Sequence, residues 1–73
     1  MKSYLTIWFN SDGASPTEIT ERLMSMGFQP QKGEYDYVYN WGSQPHTEDA
    51  LNLANQVHAT LKGCNALFKI ETL

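Results

Sequence analysis

An α+β fold in which two helices cover one face of an antiparallel sheet is what this 73-residue chain predicts. Three observations carry that expectation. Segments with a period of two residues stand near both ends of the chain and again at its middle. Two segments with a helical period lie between them, each opened by residues suited to a helix start. Turn residues separate all of these segments, with no repeat or linker and with room for one domain only, residues 1–73.

Ser3 to Asn10 alternates, with Leu5, Ile7 and Phe9 on one side and Tyr4, Thr6 and Trp8 on the other, as in a strand covered on one face. Ser11-Asp12-Gly13 ends it. Ser15-Pro16-Thr17-Glu18 then supplies an N-cap hydroxyl, a proline at the first helical position and an acid placed to close a capping box. Ile19, Leu23 and Met26 form one apolar stripe, and Gly27-Phe28 reads as a left-handed cap followed by a hydrophobic contact.

Phe28 to Gln31 is expected as a short strand that must lie at a sheet edge, because Pro30 has no N–H to give to a ladder. Tyr35 to Trp41 is the clearer strand. Its odd positions Tyr35, Tyr37, Tyr39 and Trp41 share a face, and that aromatic face is expected in the core. Thr47 is expected to cap the second helix, with Glu48 and Asp49 at the positive end of its dipole. Ala50, Leu53, Ala54, Val57 and Leu61 fall in one stripe with Leu51 and His58 on its shoulder, and Lys62-Gly63 closes the helix. Ala66, Phe68 and Ile70 alternate with Leu67, Lys69 and Glu71 in a last strand.

The resulting order, β-α-β-β-α-β, matches the split βαβ or ferredoxin-like arrangement, for which the strand order 4-1-3-2 is expected. A three-stranded sheet without the short second strand is the rival.

Composition narrows the function. A single cysteine, Cys64, allows neither an intramolecular disulfide nor a paired-cysteine metal or redox motif, and a reducing, cytoplasmic setting follows as the expectation. No stretch approaches the length of a membrane span, so no membrane partner is expected. With a net charge of −3 and five basic residues scattered singly, nucleic acid is disfavoured as a partner. Catalysis needs a nucleophile, a base and an electrophilic stabiliser together, and none is in evidence. Cys64 follows the carbonyl end of a helix, which repels negative charge; His46, Glu48 and Asp49 match no metal-ligand spacing and read as capping residues; His58 reads as a packed imidazole. The chain is therefore expected to be no enzyme and to need no cofactor or metal.

Two features remain. Alternation drives Tyr4 and Trp8 onto the helix-free side of the sheet with Val38, Leu67 and Leu73, and rings of this kind dominate protein interfaces. A protein partner or a homodimer is the occupant this predicts. Separately, the run Asp12-Gly13, Ile19, Leu23, Gly27-Phe28 resembles the ACT-type regulatory domains, which are of similar length and have the same order of elements. That resemblance, covering Asp12 to Phe28, implies a small-molecule ligand such as an amino acid at the end of the first strand. In the family the aspartate and glycine are separated, whereas here they adjoin, so the implied contacts are confined to Asp12 and Gly13. A third reading, a single-stranded RNA binder of the RRM kind, is served by Tyr4 and Trp8. The strand Tyr35 to Tyr39 lacks the basic and glycine positions which that pattern needs.

Overall fold

The computed structural model describes residues 1–73. Its elements are β1 (Lys2–Trp8), α1 (Pro16–Ser25), β2 (Gln29–Pro30), β3 (Tyr37–Asn40), α2 (Thr47–Leu61) and β4 (Leu67–Thr72). The strands form one four-stranded antiparallel sheet in the order β2-β3-β1-β4. The short β2 is present, with Pro30 on an edge strand.

The helix ends show why these residues form these elements. The Ser15 hydroxyl accepts from the Glu18 N–H at 3.2 Å, but the Glu18 carboxylate turns to Arg22 at 3.0 Å, so no reciprocal capping box forms. An ion pair one turn along the helix takes its place. At the other end Gly27 adopts φ +107, and the N–H groups of Gly27 and Phe28 donate to the carbonyls of Met24 and Leu23. This is the paired arrangement that satisfies the last carbonyls of a helix, and it throws Phe28 into the core. In α2 the cap is His46, one residue earlier than expected, and Thr47 is the first helical residue. The Asp49 carboxylate accepts from the His46 N–H at 3.0 Å, which favours this start over one capped by the Thr47 hydroxyl.

Both helices and the sheet meet in one core: Leu5 and Ile7 from β1, Ile19 and Leu23 from α1, Phe28, Tyr37, and Leu53, Val57 and Leu61 from α2, with Cys64 beside them. The polar atoms that this burial encloses are bonded. Tyr37 shares a hydrogen bond of 2.6 Å with the Thr20 hydroxyl; the fully buried Ser3 pairs with Thr72 at 2.7 Å and accepts from the Trp41 indole N–H at 2.8 Å. Leu51, expected on the shoulder of the α2 stripe, is exposed, and His58 is exposed rather than packed. Phe9 lies past the end of β1 and is also exposed, so β1 ends two residues earlier than its alternation predicts.

Tyr35 does not join the aromatic face expected in the core. Tyr37 is buried and Tyr39 and Trp41 pack against the core, but Tyr35 stacks on Tyr4 instead, with ring centroids 4.7 Å apart. The strand begins only at Tyr37. Asp36 interrupts the pairing: its N–H donates to Leu5 O, and its carboxylate accepts from the Ile7 N–H at 2.9 Å. A side chain thus satisfies the backbone donor that a longer β3 would have met, and the alternation counted back from Tyr37 fails at this point.

Candidate functional site

The helix-free side of the sheet is built from the even positions of β1 and the residues paired with them. Tyr4 stands opposite Val38 on β3 and Glu71 on β4, Thr6 opposite Lys69, and Trp8 opposite Leu67. Of the residues expected here, Tyr4 and Val38 are therefore adjacent and half-buried, while Trp8 lies further along β1 and is 53% exposed. Beside it Leu67 is 73% exposed, and Leu73, just past the other end of β4, is 64% exposed. A tryptophan and a leucine side by side at that exposure give up most of their apolar surface to water.

Between these apolar ends lies a polar centre that strand alternation alone does not identify. The Tyr35 hydroxyl donates to the Glu71 carboxylate at 3.1 Å, and Lys69 reaches the same carboxylate at 2.8 Å. The only sequence signal for it is the i, i+2 spacing of Lys69 and Glu71, which puts both on one face of a strand. The hydrogen bond to Glu71, then burial, holds the Tyr35 phenol above its ordinary value, and the bond to Glu71 likewise raises the Lys69 ammonium. Glu71 itself is lowered, first by Lys69 and then by Tyr35.

These directions fix the pH dependence. A depressed Glu71 contributes stability above the ordinary carboxylate value and loses it as pH falls through its folded value. A raised Tyr35 contributes below the ordinary phenol value and loses it as pH rises through its folded value. Following the Tyr35 ring by NMR is expected to show ionisation at higher pH than for a free tyrosine. Glu71→Gln is expected to move it back down, and a midpoint unchanged by that substitution contradicts the assignment.

Asp12 and Gly13 lie elsewhere, in the loop between β1 and α1. The Asn10 side chain accepts from the Asp12 N–H at 2.9 Å and the Asn10 carbonyl from the Gly13 N–H at 3.0 Å, a compact turn of the Asx type. Gly13 packs directly against the backbone at Cys64, whose carbonyl accepts from Ala14. A groove of about 460 Å³ opens near the end of β1, lined by Trp8, Phe9, His58, Lys62, Leu67 and Phe68 among others, with neither Asp12 nor Gly13 in its wall. The structure thus brings Tyr4, Val38 and Trp8 to one side of the sheet and leaves the Asp12-Gly13 turn apart from them.

Cys64 is buried, and Arg22 donates to its sulfur at 3.2 Å, tying α1 to the end of α2. No three His, Cys, Asp or Glu side chains gather as metal ligands, and no helix is long and apolar enough to cross a membrane. No protein-family model matches the chain, and no curated protein or solved structure matches it.

Proposed function

We propose that this chain is a non-enzymatic interaction module that associates with protein, in the first place with a second copy of itself, through the helix-free side of its sheet. The scaffold is read as ferredoxin-like, a reading supported by the six elements in β-α-β-β-α-β order and the sheet order β2-β3-β1-β4. The observation that carries the function is the exposed Trp8–Leu67 pair at the end of β1 and β4.

An RNA platform is less well supported. Three of the four aromatic residues from Tyr35 to Trp41 pack inward, and Glu71 places a carboxylate at the centre of the open side, where a nucleic-acid backbone would be repelled. An amino-acid site at Asp12 and Gly13 has the turn already closed by Asn10 and the glycine filled against Cys64.

Sedimentation of the wild type over a dilution series is the test. Dimers are expected, and Trp8→Ala is expected to weaken them by roughly thirtyfold, the loss typical of a buried tryptophan anchor. A wild type that stays monomeric at every concentration overturns the reading.

A further inference from the structure

The two edges of the sheet are unlike each other. β2 is two residues long and contains Pro30, so it offers almost nothing to a further strand. β4 is six residues long, has no proline, and pairs only with β1. Lys2 and Leu73 exchange both backbone hydrogen bonds, N–H to carbonyl in each direction. In an antiparallel ladder the bonded positions then alternate, so Glu71, Lys69 and Leu67 direct their backbone groups towards β1 while Thr72, Ile70 and Phe68 direct theirs outward. No turn, loop or cap hydrogen bond reaches those three.

We propose that β4 pairs antiparallel with β4 of a second copy about a two-fold axis at Ile70, joining the two sheets into one. This rests on the self-association reading above but places the contact at the β4 edge, so that Leu67 stands between Trp8 of β1 and the partner strand. From Leu67 to Leu73 the residues complement one another across that axis: leucine mirrors leucine at 67 and 73, lysine mirrors glutamate at 69 and 71, Phe68 mirrors Thr72, and Ile70 stands at the centre. Ile70 meets the partner's Ile70, and Phe68 meets the partner's Thr72, each pair exchanging backbone hydrogen bonds that now point to solvent. On the open side Lys69 meets the partner's Glu71, and Leu67 meets the partner's Leu73. These last pairs occupy the non-bonded positions, where side chains on neighbouring strands approach most closely.

Charge selects this register. Sliding the partner strand by two residues sets Lys69 against the partner's Lys69, or in the other direction Glu71 against the partner's Glu71. A slip of one residue puts the hydrogen-bonding groups out of phase and turns the charged face towards the helices. The chosen register also covers the two most exposed apolar residues of the sheet, Leu67 and Leu73, and lays the partner's Leu73 beside the row that holds Trp8. An isologous contact of this kind closes on itself and leaves only the proline-bearing β2 edges free.

Charge reversal tests the register independently of the self-association itself. Sedimentation of Lys69→Glu and of Glu71→Lys, each checked for folding by circular dichroism, is expected to show association weakened by about tenfold or more, since each variant opposes like charges at both contacts. An equimolar mixture of the two variants is expected to regain the dimer, because acids of one copy then face bases of the other at both positions. In the wild type, amide exchange at Phe68, Ile70 and Thr72 is expected to slow as concentration rises through the association range. If the wild type dimerises but both variants associate as it does, or if the mixture fails to recover, the β4 register is overturned while self-association stands. A wild type that remains monomeric overturns both.

Discussion

Phe28→Ala is expected to remove about 3–5 kcal/mol of folding stability, the range for truncating an enclosed aromatic residue. A chain of this length commands only about 4–11 kcal/mol in total, at roughly 0.05–0.15 kcal/mol per residue, so the variant is expected to be largely unfolded or close to it. The reason lies in where the residue sits. Phe28 is among the largest fully buried side chains, placed directly after the left-handed turn at Gly27 and packed with its ring 5.4 Å from that of Tyr39. Its loss opens a void at the junction of α1 with β2 and β3, where the backbone is held by the helix cap and has little freedom to collapse inward. Urea unfolding is the measurement, with the midpoint falling steeply. Leu51→Ala, at an exposed apolar position on α2, is the control and is expected to change stability by no more than about 0.5 kcal/mol. Equal midpoints for the two variants contradict this account of the core.

Gly13→Ala is expected to cost about 3 kcal/mol, at the upper end of what overpacking commonly does. A methyl group there would stand 2.1 Å from the Cys64 carbonyl oxygen and 2.9 Å from the Asn65 Cβ. Neither neighbour is the free end of a flexible side chain, and the Cys64 carbonyl is held by the Ala14 N–H. The loop after β1 and the loop after α2 must therefore separate, which breaks that hydrogen bond. Thermal unfolding is expected to shift down by roughly 12–24 °C, at about 4–8 °C per kcal/mol for a domain of this size. Gly42→Ala gives the comparison: with φ +73 and nothing near its missing methyl, it carries only the backbone penalty of about 1 kcal/mol. A Gly13 variant that melts with the Gly42 variant shows that the close approach is not maintained in solution. The same geometry explains why a glycine follows Asp12 without any reference to a ligand.

The local elements were legible because their signals are carried by residues close in sequence. Ser15 caps its helix through an N–H three residues away, Gly27 and Phe28 close it within five, and the alternation of Leu5 and Ile7 needs only its own strand to be read. The candidate site was legible in part for the same reason: Tyr4 and Trp8 leave the core by simple alternation, and both stand on the open side. The departures lie at element ends and on the shoulder of α2, where Leu51 and His58 face solvent. Phe9 follows the pattern of β1 but falls beyond its pairing, and Thr47 yields the cap to His46 because the Asp49 carboxylate reaches that N–H.

The sequence by itself determined the kind and order of the longer elements, the apolar stripe of each helix and the exclusion of Tyr4 and Trp8 from the core, whereas the two-residue β2 was settled by its pairing with β3. The first three follow from the fixed periods of strand and helix and from caps that act within a turn. Only the tertiary structure decided the place of Tyr35. Parity with Tyr37 assigns it to the core, but Asp36 breaks the strand to bond Ile7, 29 positions earlier, and the freed ring stacks on Tyr4 and bonds Glu71, 36 positions later. Alternation holds only while a strand is continuous, and where a strand stops depends on partners far away in sequence. The open side of the sheet, with its charged centre between two apolar ends, is a product of those distant contacts.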